Sequence, residues 1–179
     1  MHTDHLIFAG VDITSGREPV TLAALGSDLN VLFLERYDLS GALSRFGQQE
    51  HILLATNAQS SKNRNGVYAL FKKKIARAGF RSDLKSARRQ WIETNAGDCF
   101  RRLIGRSPLA RRTLEGRIQR ALILYDQGLQ IADPMDFFEE ITRHHMMLGE
   151  FPNELLYSAS QLDALSAAYS AWMMVNERG

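Results

Sequence analysis

The stretch LIFAGVDITSGREPVTLAALG, Leu6 to Gly26, reads as two strands joined by a turn, and its first half sets the fold class. LIFAGVD is an unbroken apolar run of strand length with a glycine inside it. That pattern predicts a strand buried on both faces and closely approached by another backbone at Gly10. The run ends on Asp12, where the chain turns through ITSG. The segment TSGRE is short enough to make PVTLAALG an antiparallel partner, and the GSD turn then leads into NVLFLERYDL, so the first three strands form a meander. SGALSRFGQQ reads as a short helix with Ser40 as its N-cap. HILLATN reads as a fourth strand, apolar enough to be central.

Beyond Asn57 a polar loop, NAQSSKNRNG, leads into helical periodicity. VYALFKKKIARAGF places Val67, Leu70, Phe71 and Ile75 on one stripe, with Gly79 as the stop. SDLKSARRQWIETNAGDCFRRLIG is expected to be a second helical stretch capped by Ser82 and interrupted near Gly97. TLEGRIQRALILYDQG is expected to be a third. DPMDFFEEITRHHMMLG has Asp133 as N-cap, Pro134 at the first helical position and Gly149 as the stop, and SASQLDALSAAYSAWMMVNERG closes the chain as a helix. The order predicts one α/β domain over residues 1–179: strand-rich over 1–57, basic and helical over 66–129, acidic and helical over 133–179. A fifth strand is left open, either in RALILY or near FFEEIT.

The 179 residues are 45% hydrophobic, enough for a core that needs no staple, and the single Cys99 excludes an intramolecular disulfide framework. Without a basic leader or a long apolar run, the expectation is a cytoplasmic protein with no membrane span. The net charge of +2 hides an asymmetry: residues 61–120 hold 17 of the 22 Lys and Arg against four acids. Residues 121–179 hold nine acids against Arg143 and Arg178. Such a division suits a protein that touches phosphates with one part and holds a cation with another.

Three features carry candidate chemistry. Asp12 leaves the first strand at a turn, where it either caps that turn through the Ser15 or Gly16 amide or presents a rigidly held carboxylate to a metal ion. In SQLDALSAAYSAW, Ser160 and Asp163 have capping-box spacing, yet Ala164, Ala167, Ala168 and Ala171 form a small-residue surface that lets this helix approach a sheet and bring Asp163 with it. In FFEEITRHH, the pairs Glu140–His144 and Glu139–Arg143 share helix faces, which also describes ordinary surface ion pairs. Serine-hydrolase, P-loop and dinucleotide-binding patterns are absent from the sequence.

FAGVD followed by two further strands, the acid-bearing helix LDALSAAYSAW and FFEEITRH before it resemble predicted nucleases of the ribonuclease H-like superfamily. The likeness is to a domain family of unknown function in that superfamily, with RuvC-type resolvases as more distant relatives. The resemblance implies a mixed sheet whose first three strands are antiparallel, flanked by helices. It also implies a centre in which a first-strand Asp, an acid after the fourth strand and an acid on the last helix hold Mg2+ or Mn2+. Asp12 and Asp163 match the first and last positions, and Asn57 stands where the middle acid belongs. Glu140 or Glu139 is then the candidate to supply the missing ligand, and Asp12, Asp163 and Glu140 are the candidate catalytic set. The implied activity is metal-assisted hydrolysis of phosphodiester bonds. Lys62, Arg64, Lys72, Lys73, Lys74, Arg88 and Arg89 are candidates for holding nucleic-acid phosphates. Trp91 and Phe100 lie among them either as base-stacking or as core aromatics.

Two other readings stand beside this one. Loss of the middle acid makes a catalytically silent module of the same fold, binding nucleic acid or protein, an alternative, and a homodimer is compatible with either. GVDITSG also resembles the phosphate-binding turn of actin-like sugar kinases, whose two lobes 179 residues hardly provide.

Overall fold

The computed structural model describes residues 6–47, 49–57, 66–82 and 88–176. Among them, five strands form one open mixed sheet and six α-helices flank it. The strands are β1 (Ile7–Asp12), β2 (Val20–Leu25), β3 (Val31–Tyr37), β4 (Ile52–Asn57) and β5 (Arg89–Thr94). The helices are α1 (Leu39–Gly47), α2 (Val67–Arg77), α3 (Ala96–Ile104), α4 (Leu114–Asp126), α5 (Asp136–Leu148) and α6 (Ala159–Asn176). The sheet order is β3-β2-β1-β4-β5; β2 is antiparallel to both β1 and β3, whereas β4 runs parallel to β1 and β5 parallel to β4. The meander therefore follows from the short turns, and the parallel half from the crossovers through α1 and α2.

β1 is central, which explains its unbroken apolar run. Its alternate residues feed two cores: Phe8 joins α3, α4 and α6 on one face, whereas Ala9, Val11 and Ile13 join α1 and α2 on the other. Gly10 lies on the α6 face, where a Cβ would stand 2.0 Å from the Ala164 carbonyl oxygen and 2.4 Å from the Ala168 nitrogen. The glycine and the alanine face of α6 are complementary, so helix and sheet meet backbone to backbone. Because β residues alternate, Asp12 shares that face with Gly10, and Asp163 directly precedes Ala164 on the helix.

The expected helix from Ser82 through Gly105 is corrected. Arg89–Thr94 pairs with β4 as the fifth strand, in neither RALILY nor FFEEIT, and Ser82 lies in a bend. Asn95 then caps α3, its side chain accepting from the Asp98 amide at 3.1 Å. Several caps also move. Asp38, rather than Ser40, accepts the Gly41 amide at α1. Asp133 accepts the Met135 amide before α5 begins at Asp136, so Pro134 is not in the helix. The capping box of α6 is Ser158 with Gln161, which places Asp163 in the second turn and frees its carboxylate. Leu70, assigned to the inner stripe of α2, is 45% exposed, and Phe71 and Ile75 carry the packing. Gly79 and Gly149 follow their helices at φ 87° and 71°, a backbone region in which glycine is unstrained. No helix among the described residues is long and apolar enough to cross a membrane.

Candidate functional site

The site forms where β1 and β4 end and α6 begins. Asp12 and Asn57 are direct register partners at the ends of parallel β1 and β4, so both side chains emerge at one sheet edge. Asp12 is 3% exposed and Asp163 4%. The two oxygens of Asp12 have different partners. Its Oδ1 accepts from the Thr14 amide (3.2 Å), the Thr14 hydroxyl (2.8 Å) and the Asn57 Nδ2 (3.1 Å). The turn is thus capped at Thr14 rather than at Ser15 or Gly16. Its Oδ2 faces a cation, the guanidinium of Arg111, whose Nη2 donates at 3.1 Å.

Arg111 joins the two acids. Its Nε donates to Asp163 Oδ2 at 2.5 Å, and Nη2 also donates to the Thr14 hydroxyl at 3.1 Å. Its side chain is 24% exposed against 1% and 5% for the two carboxylates, so the arginine closes the site from the solvent side. The backbone segment that carries Arg111 is fastened to α4. Thr113 caps that helix by accepting the Gly116 amide, Gln119 Oε1 accepts the Leu109 amide at 2.7 Å, and Arg120 donates through Nη1 to the Leu109 carbonyl at 2.8 Å. Gly116 lies so close to this segment that a Cβ there would stand 1.9 Å from the Ala110 carbonyl oxygen.

Burial pushes the Asp163 carboxyl up to about 6; Arg111 opposes that rise and Asp12 adds to it. Arg120, 5% exposed beneath Asp163, is lowered by burial, and the Asp163 charge opposes the shift. Two buried acids therefore face two guanidiniums, and the set is balanced in charge from the chain alone.

This donor set does not fit a divalent cation. Asn57 turns its Nδ2 toward Asp12, and its Oδ1 accepts the Ala96 amide at 3.0 Å, so its oxygen is already committed. Hard cations take oxygen ligands, and the oxygens of Asp12 and Asp163 that face each other are occupied by Arg111. Glu139 and Glu140 do not join them. Both lie on α5, where they pair with Arg143 and line a separate cavity of about 430 Å³ with Asp133, Phe137 and Leu156. No group of three or more His, Cys, Asp and Glu among the described residues is placed to hold a metal ion.

The candidate phosphate ligands divide. Arg89 is a structural clamp, donating to the carbonyls of Gln49, Ala78 and Gly47. Lys72 pairs with Glu93 at 3.3 Å and lies 5.0 Å from the Trp91 ring centroid, and Lys74 donates to the Ser40 hydroxyl. Lys73 is exposed on α2, and Arg88 lines a shallow cavity with Glu50. Lys62 and Arg64 lie outside the described residues. Phe100 is fully buried, a core residue, and Trp91 donates through its indole to Thr56. Arg111, Arg120 and Thr14 are the site residues that motif reading misses. The one signal pointing to Arg111 is its place just before the Thr113 cap, in a basic run beside a helix start.

No protein-family model matches this chain, and no curated protein matches it.

Proposed function

We propose that the chain is a ribonuclease H-like domain that binds nucleic acid without hydrolysing it, with Arg111 taking the place that the nucleases it resembles give to a divalent metal. The observation that carries this reading is the single guanidinium bonded to both Asp12 and Asp163. The ribonuclease H-like part draws support from the meander leading into two parallel strands, the acid ending β1 and the acid on the last helix packed against it. The loss of hydrolysis draws support from Asn57, whose amide holds Asp12 in the manner of a structural residue. Binding draws support from the basic middle of the chain, where Lys73, Arg88 and Arg112 have no ion-pair partner among the described residues.

The test pairs cleavage with binding. Intact protein, given Mg2+ or Mn2+ and single-stranded, branched or hybrid oligonucleotides, is expected to bind them at low salt and leave them uncut. Affinity is expected to fall by nearly one log unit per phosphate contact for each decade of salt. Cleavage that Asp12→Asn abolishes overturns the silent reading, and absence of binding at low salt overturns the nucleic-acid reading.

A further inference from the structure

Beside the carboxylate pair, on the outer side of Arg111, lies a cavity of about 360 Å³ with no acid in its lining. Arg111, Arg112 and Arg117 line it together with Ser15, Ser158 and Ser160. Two of the three arginines are held by hydrogen bonds. Arg111 uses Nε and Nη2 on Asp163, Asp12 and Thr14, which leaves Nη1 for another acceptor. Arg117 is oriented by Nε and Nη2 bonds of 2.8 and 2.9 Å to the Tyr157 and Leu156 carbonyls, again leaving Nη1. Arg112 is exposed and has no ion-pair partner among the described residues.

The cavity also receives the start of α6. Ser158 and Gln161 satisfy one another there, whereas the first-turn amides of Ala159 and Ser160 have no intrahelical acceptor and carry the positive end of an 18-residue helix. Two fixed guanidinium forks, the exposed Arg112, the Ser160 hydroxyl and a helix N-terminus together form a site for tetrahedral oxyanions. The nearby carboxylates do not repel such a guest, because Arg111 and Arg120 already balance them.

We propose that this cavity binds a phosphate monoester, and specifically the terminal phosphate of a nucleic-acid strand. With the charge of Arg111 committed to the carboxylates, the two remaining charges of Arg112 and Arg117 match the dianion of a terminal phosphate better than the single charge of a bridging diester. The choice of a strand end rests on the nucleic-acid reading above; the preference for a monoester rests on the cavity alone.

The experiment measures binding of one oligonucleotide sequence with a 5′-phosphate, a 3′-phosphate or hydroxyl ends by fluorescence polarisation at fixed ionic strength. It is paired with thermal melts in inorganic phosphate or chloride at matched ionic strength. One phosphorylated end is expected to bind at least tenfold more tightly than the hydroxyl-ended strand, and Arg112→Ala is expected to erase that difference while melting like the parent in chloride. Equal affinity for all three ends, with no phosphate-specific stabilisation, overturns the cavity proposal and leaves nucleic-acid binding standing. Stabilisation by inorganic phosphate that Arg112→Ala removes, without any oligonucleotide binding, supports the cavity, assigns its phosphate to a small ligand and removes the strand.

Discussion

Replacing Arg111 by alanine removes the one group among the described residues that bonds both buried acids. Asp12 and Asp163 have side chains 1% and 5% exposed, so neither is rescued by water where it stands. Taking one partner from a buried ion pair costs about 3–5 kcal/mol, because the remaining charge stays buried and unpaired. Here the two remaining charges are alike and adjacent. For a chain of 179 residues this corresponds to a fall in Tm of roughly 6–20 °C. The loss depends on pH with a definite sign: Arg111 opposes the burial-driven rise of the Asp163 carboxyl, so without it that carboxyl rises further, and the deficit is largest at neutral pH and shrinks as Asp163 protonates toward pH 4. Denaturant unfolding of Arg111→Ala and the parent at pH 7.5 and pH 4.5 checks this. A loss below about 1 kcal/mol at both pH values refutes the argument that Arg111 holds the site together.

Three further outcomes follow from the same geometry. Asp163 has its folded-state value raised from 3.8 to about 6, so its favourable contribution is complete below pH 3.8 and lost as pH climbs through 6, a change of about 3 kcal/mol. Asp163→Asn removes that component, and parallel stability profiles of variant and parent between pH 4 and 7 would falsify the assignment. Gly10→Ala forces a Cβ against the α6 backbone and is expected to cost at least about 3 kcal/mol; a Tm within a degree of the parent contradicts the close approach. Asn57→Asp replaces the amide that donates to Asp12 with a second buried carboxylate and is expected to cost about 3 kcal/mol at pH 7.5, less at pH 4.5. A melt unchanged at pH 7.5 shows instead that Asn57 is not the donor that steadies Asp12.

The parts of this structure legible in the sequence are those whose cause is local. Gly10 within an apolar run predicted a close backbone approach, and the alanine face of α6 supplied the complementary surface; the two meet, carrying Asp12 and Asp163 together. β5 was hidden for a physical reason. It is an edge strand of intermediate burial, and its polar Arg89, Gln90, Glu93 and Thr94 show no clean alternation, so a helical reading of RRQWIET competed well. Ser160 and Asp163 have capping-box spacing, but Ser158 with Gln161 satisfies the same rule two residues earlier, which leaves the Asp163 carboxylate to Arg111. Arg111 was illegible because its partners lie 52 and 99 residues away and its side chain belongs to no motif. Long-range charge pairing leaves no periodic trace, and here it decides what the carboxylate pair does.

The central claim is that a guanidinium stands where the resemblance would place a divalent metal. Calorimetric titration of Mn2+ into the intact, metal-stripped protein at pH 7.5 tests it most directly. No saturable binding at Asp12 and Asp163 is expected through the millimolar range, with heats identical in the parent and in Asp12→Asn. Stoichiometric binding that Asp12→Asn abolishes would contradict it.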